Sequence, residues 1–194
     1  LSEIQAGISS GLSRVAVERL DLVGFDACLM ATYEVAAAIT GLADYMLASE
    51  ELEPGHGWDY SSLAVLSGSS DITAKDLGSA IADGFQSQAQ DWDTDESITL
   101  SVLDLTVFPE FQNAIGDLLS PLLSDLAPAA PSVSRALNGA SRFASSPNPA
   151  QDAHIVDLGN FVEGLSGIGI DDEIERVVNA LDRLVVDKVS GIAT

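Results

Sequence analysis

Leu22-Val-Gly-Phe-Asp-Ala-Cys-Leu-Met-Ala31 joins an apolar run to the single cysteine of the 194-residue chain. Leu20 to Phe25 is apolar apart from Asp21 and reads as a buried strand. Residues 29–41 read as the helix that follows, with Gly41 as its stop. A Cys at the carboxyl end of a strand, just ahead of a helix, lies where open α/β sheets place their ligand crevices. A helix N-terminus in that position favours a thiolate and offers N–H groups to a developing oxyanion. Asp26, two residues before Cys28, is placed to face the same crevice. On residue chemistry alone Cys28 is either a nucleophile or a small core residue, because free Cys is among the most buried residue types.

Outward from this stretch the chain alternates helix and strand. Ser2 and Gln5 have the spacing of a capping box, and Ile4, Ile8 and Leu12 recur at helical spacing behind them. Tyr45 to Ser49 reads as the next strand. Thr73 with Asp76 starts a helix whose stripe is Leu77, Ile81 and Phe85. Ile98 to Leu105 is a third strand. Residues 107–125 are helical, with Pro109 in the first turn. Residues 126–150 form an Ala/Pro/Ser-rich flexible connection holding a helical piece from Val133 to Phe143. His154 to Leu158 is a short strand leading into a helix at Asn160. A final helix opens at Asp171-Asp172, with Ile174, Val177, Leu181, Leu184 and Val185 on one face. Strand and helix in this order imply parallel pairing with helices on both faces, and near-continuous apolar strands agree. The expected fold is α/β, a three-layer α/β/α sandwich with a mostly parallel sheet, in one domain spanning residues 1–194.

The formal net charge is −22, from 30 acidic and 8 basic residues. Such a surface repels nucleic acid and anionic lipid, which removes both as partners. It suits cationic peptides or divalent metal, and it equally suits solubility or salt adaptation. No stretch approaches the roughly 18 uninterrupted apolar residues of a membrane span. One Cys excludes an internal disulfide. A Gly-x-Ser-x-Gly elbow is absent, so a serine hydrolase of the α/β type is rejected.

Gly24-Phe-Asp-Ala-Cys-Leu-Met-Ala31, Glu34-Val-Ala36, Tyr45-Met-Leu-Ala-Ser-Glu-Glu51 and Glu53-Pro-Gly-His-Gly-Trp-Asp-Tyr60 together resemble the clostripain family of cysteine peptidases. That family shares a clan with caspases, legumain and gingipains. Thr99-Leu-Ser-Val-Leu-Asp-Leu105 and Ile155-Val-Asp-Leu158 resemble further elements of it, so the likeness covers nearly the whole chain. The resemblance implies a caspase-like sandwich, a Cys–His dyad and cleavage after Arg or Lys. It makes Cys28 the nucleophile and Asp26 the floor of the pocket for a cationic P1 side chain, where a carboxylate meets a guanidinium in bidentate fashion. Glu50, Glu51 and Glu53 are the candidates for a second acid of that pocket. The implied partners are proteins or peptides with basic residues, in an extracellular or cell-surface bacterial setting. No cofactor is required.

The family's histidine stands in a His-Gly-Gly-type motif before the Cys strand, and residues 1–19 contain no His. The expectation is a peptidase domain without its first strands, partnered by an N-terminal light chain that carries the histidine; alone, the chain is expected to be inactive. His56, in Pro-Gly-His-Gly-Trp, reads as a residue of the pocket rim or a stand-in base. His154 reads as a surface or structural residue. Trp58 and Tyr60 either line the substrate groove or pack beneath the loop. Asp91-Trp-Asp-Thr-Asp-Glu96 lacks the Gly of an EF-hand and is open to two readings, a looser Ca²⁺ site or a solvated acidic loop. The alternative to the enzyme is a non-catalytic relative, or an acidic calcium-binding module that keeps the fold.

Overall fold

The computed structural model describes residues 1–68 and 71–191. The chain divides into two compact units, one of Leu1–Phe108 with the C-terminal strand and the other of Pro109–Leu184.

The first unit opens with α1 (Ser2–Val15), capped by Leu1 with no side-chain hydrogen bond. Ser2 is therefore already helical and the expected capping box does not form. Gln5 N–H donates to Leu1 O instead, at 3.0 Å. Next come β1 (Leu20–Gly24), α2 (Tyr33–Ile39), β2 (Ala43–Ala48), a 3₁₀ turn at Tyr60–Ala64, α3 (Val65–Gly68), α4 (Ala74–Asp91) and β3 (Thr99–Asp104). Thr73 and Asp76 make the expected capping box at α4, worth about 1 kcal/mol.

The second unit holds α5 (Phe108–Ser124), α6 (Leu126–Gly139), the two-residue strands β4 (Arg142–Phe143) and β5 (Ile155–Val156), α7 (Leu158–Glu163) and α8 (Asp171–Leu184). The Ala/Pro/Ser-rich stretch is thus helical from Leu126, earlier than Val133. It ends at Gly139, and Arg142 and Phe143 pair with β5 instead of extending the helix. Arg176 and Arg183 of α8 reach Asp117 and Glu110 of α5, at 2.9 and 2.6 Å. All four side chains are largely exposed, so each pair adds little.

The chain then returns to the first unit as β6 (Val185–Ser190), giving a sheet of order β1-β2-β3-β6. The expected parallel pairing holds for β1–β2 only. β2–β3 and β3–β6 are antiparallel, so the sheet is mixed. Apolar strands report that both faces are covered and not the direction of their neighbours, and a long connection such as that between β2 and β3 admits either direction. Leu47, Leu100, Val102 and Val189 pack against Ile81, Ala82, Phe85 and Ala89 of α4. Burying a side chain such as Phe85 contributes roughly 1.5–3 kcal/mol. Met46 and Leu103, which alternation turns away from α4, are buried too, and α2 packs on β2 with Val35, Ala36 and Ile39 buried. Both faces of the sheet are therefore covered. Among the described residues no helix is long and apolar enough to cross a membrane.

Candidate active site

β1 delivers the chain to a loop, not to a helix. Residues 25–32 are irregular, and α2 begins only at Tyr33, where the Thr32 hydroxyl accepts from Val35 N–H at 3.3 Å. The helix expected over 29–41 is shorter because its first amides are used elsewhere. Phe25, Leu29 and Ala31 donate their N–H groups to Leu47, Glu51 and Ser49 carbonyls, at 2.9, 3.2 and 2.8 Å. Leu29 takes a left-handed φ of 61°. That conformation is uncommon for a branched residue and characteristic of loops held by their surroundings. Cys28, next to it, is exposed. The core alternative for this residue is thereby removed.

The thiol's neighbour is the loop after β2. Glu53 N–H lies 3.2 Å from Cys28 Sγ and donates to it. The sulfur's backbone donor is thus this loop amide, where the sequence suggested the start of α2. Thr99 holds the loop in place. Its buried Oγ1 accepts from Glu50 N–H at 2.9 Å and Glu51 N–H at 3.0 Å, and it meets Ser49 Oγ at 3.1 Å. Ser49 Oγ in turn donates to Glu51 O at 3.0 Å.

Asp26 faces the same place from the loop after β1. Its Oδ2 accepts from the Tyr60 hydroxyl at 2.8 Å and from Trp58 N–H at 3.4 Å. That bond holds the Tyr60 phenol above its usual pKa. Gly57, with φ of +66°, lets the backbone pass over the Asp26 carboxylate; a Cβ there would lie 3.0 Å from Oδ2. Glu53 is the acid that joins Asp26. Trp58 donates to both acids, from its backbone N–H to Asp26 Oδ2 and from Nε1–H to Glu53 Oε1 at 3.3 Å. Burial first, and then the bond to Asp26, push the Glu53 carboxyl up to about 8. Of the three candidates, Glu53 lies beside Asp26; Glu51 turns its carboxylate to Leu52 N–H at 2.8 Å, and Glu50 offers its amide to Thr99.

Trp58 is 7% exposed and belongs to the core with Leu47 and Phe85, so its ring packs under the loop. Gly24 makes room for it, since a Cβ there would meet the indole at 2.9 Å. Tyr60 is 59% exposed, with its hydroxyl on Asp26. His56 is bound to the α4 side: Nε2 meets Thr94 Oγ1 at 2.9 Å, and Nδ1 meets Gly57 O at 2.7 Å and Gln88 Nε2 at 2.8 Å. Both ring nitrogens are engaged, which fits a structural residue of the loop and leaves neither for proton transfer. His154 is exposed beside Asp152, at 3.1 Å. Among the described residues no group of three or more His, Cys, Asp or Glu side chains converges as a metal site would, the acidic loop at Asp91–Glu96 included.

The roles of Ser49 and Thr99 were not legible in the sequence. A hydroxyl residue following or entering an apolar strand is a common pattern, and only the fold brings these side chains to the Glu50–Glu51 amides.

A model of the clostripain family, Peptidase C11, matches residues 3–191. No curated protein matches. Among solved structures, a clostripain from Bacteroides thetaiotaomicron in complex with a peptide inhibitor is 19% identical, with a TM-score of 0.69 over 94% of this chain and 72% of that one. An inactive zymogen C11 protease from Parabacteroides distasonis is 23% identical, with a TM-score of 0.67 over 95% of this chain and 48% of that one. A secreted C11 cysteine protease from Bacteroides thetaiotaomicron, iotapain, is 19% identical, with a TM-score of 0.68 over 94% of this chain and 48% of that one. The chain thus spans about half the length of the latter two.

Proposed function

The chain belongs to the clostripain family, and from that premise we propose that it is the nucleophile-bearing part of a cysteine endopeptidase that cleaves after Arg or Lys. The observation that carries the reading is the meeting of three groups at one edge of the sheet: an exposed Cys28 thiol, the Glu53 amide on its sulfur, and the Asp26–Glu53 carboxyl pair beside it. A guanidinium or ammonium entering between the carboxyls brings the substrate's backbone to the thiol. The clostripain of Bacteroides thetaiotaomicron is complexed with an inhibitor whose peptide is written VLTK and so ends in lysine, which supports a basic P1 residue here.

In the reaction Cys28 Sγ, as thiolate, attacks the scissile carbonyl carbon. The oxyanion is met by the Cys28 N–H and by a donor near the histidine. Collapse of the adduct expels the amine, which takes a proton from the histidine, and water then hydrolyses the thioester. His56 is bonded on the α4 side through both ring nitrogens, which does not favour it for that step. The histidine comes from a partner segment such as an N-terminal light chain. β1 is the outer strand of the sheet among the described residues and leads directly to Cys28, so its free edge suits such a segment as an added strand. An extracellular setting belongs to the same reading, since iotapain is a secreted protease.

The test is covalent labelling. In the protein supplied with its histidine segment, an arginine chloromethylketone should add once, at Cys28, and a leucine analogue far more slowly. An adduct that persists in Cys28→Ala would remove Cys28 as the nucleophile.

A further inference from the structure

We infer that Tyr60 sets the choice between the two basic side chains: by holding one oxygen of the Asp26 carboxylate, it favours lysine over arginine at P1. The inference rests on the basic-residue reading above and narrows it.

A carboxylate offers two oxygens with about four lone-pair positions between them. At Asp26 the donors fall on one oxygen. Tyr60 O–H donates to Oδ2 at 2.8 Å and Trp58 N–H at 3.4 Å, which fills the positions of that atom. Among the described residues no N–H or O–H donates to Oδ1, and no Lys, Arg or His forms an ion pair with the group. Gly57 covers the carboxylate from one side, since a Cβ built there would lie 3.0 Å from Oδ2 and 3.2 Å from Oδ1. Asp26 is exposed, as is Cys28 two residues on. An incoming cation therefore meets Oδ1 first. An ammonium is a compact charge that bonds to a single oxygen, whereas a guanidinium fork gains most when each N–H has an oxygen of its own. Arginine reaches that arrangement only by displacing the Tyr60 hydroxyl from Oδ2. Lysine has no such need.

The hydroxyl is held where it stands. Tyr60 opens the 3₁₀ turn, which Asp59 caps by accepting from Ser61 N–H at 2.9 Å and from the Ser61 hydroxyl at 2.7 Å. Gly84 of α4 lies so close to Ser62 that a Cβ there would overlap its hydroxyl. The turn is thereby seated on α4, with the phenol beside Asp26.

The test uses the protein supplied with its histidine segment and three peptide substrates identical except at P1, which is Lys, Arg or norleucine. The wild type should show a higher kcat/KM for Lys than for Arg. Tyr60→Phe, which deletes only the hydroxyl, should raise the Arg-to-Lys ratio by roughly tenfold, the worth of a hydrogen bond to a charged group. A loss of packing alone would lower the three rates together and leave the ratio where it was. A ratio unchanged in Tyr60→Phe, or a wild type that prefers Arg, overturns the inference and leaves the basic-residue reading standing. Norleucine cleaved as fast as Lys and Arg removes that reading, and the inference with it.

Discussion

Glu53 meets Cys28 through its backbone: its amide donates to the sulfur at 3.2 Å, while its carboxyl accepts from Trp58 Nε1–H at 3.3 Å. One residue thus belongs to the surroundings of the thiol and, through Trp58, to those of the Asp26 carboxylate. The loop that carries it is fixed by Thr99, a strand residue distant in sequence.

Asp26→Asn keeps the shape of the pocket and removes a charge that an entering cation would meet. An unpaired buried charge costs several kcal/mol. In the enzyme supplied with its histidine segment, kcat/KM for Arg and Lys substrates should fall by roughly one to three orders of magnitude, at about 1.4 kcal/mol per tenfold. Substrates with Leu or Gln at P1 should change much less. An equal loss across basic and neutral substrates would mean that Asp26 only braces the Trp58–Tyr60 segment.

Thr99→Val preserves volume and deletes the oxygen that accepts from Glu50 and Glu51 and meets Ser49. Each buried donor left without a partner costs about 1–3 kcal/mol. A drop in melting temperature of roughly 5 °C is expected, together with a change in the rate at which iodoacetamide, an uncharged reagent, alkylates Cys28. The rate changes because the Glu53 amide shifts with its loop. A destabilised variant whose thiol reacts at the wild-type rate would show that Thr99 supports the sheet and not the site.

Glu53 sets a pH dependence of stability whose sign is opposite to that of the usual acidic residue. Its folded pKa of about 8 exceeds the ordinary 4.5, so between those values the native state holds more protons than the unfolded state. Stability from this group is therefore greatest below about pH 4.5 and declines as pH rises toward about 8. The side chain is partly open to solvent, which moderates the effect. A net charge of −22 adds a general decline of its own, so the measurement is the difference between proteins. From about pH 5 to 8.5 the wild-type melting temperature should fall further than that of Glu53→Gln. Parallel curves would place the Glu53 proton elsewhere.

Much of this was legible in the residues. The apolar run before Cys28, the Thr73–Asp76 cap and the stripe of Leu77, Ile81 and Phe85 are local patterns, and each formed as an element where expected. The family resemblance rested on short motifs, and a family model matching residues 3–191 agrees with it. Short-range signals misled where long-range hydrogen bonds competed. Leu29 and Ala31 have helix-compatible side chains, yet their amides bond across to Glu51 and Ser49, so the helix starts late. Val185 fits the stripe of α8, but no breaker separates Leu184 from it, and the alternation Val185-Val-Asp-Lys-Val189 pairs with β3.

The sequence alone determined the α/β class, the position of Cys28 shortly after a strand and the acid two residues before it, because burial periodicity and chain order depend on neighbours along the chain. The tertiary structure decided which atom meets the sulfur, and that His56 is bonded toward α4. Glu50, Glu51 and Glu53 are chemically equivalent on the page of a sequence. They diverge only when Thr99 captures the Glu50 and Glu51 amides and Trp58 donates to the third carboxyl.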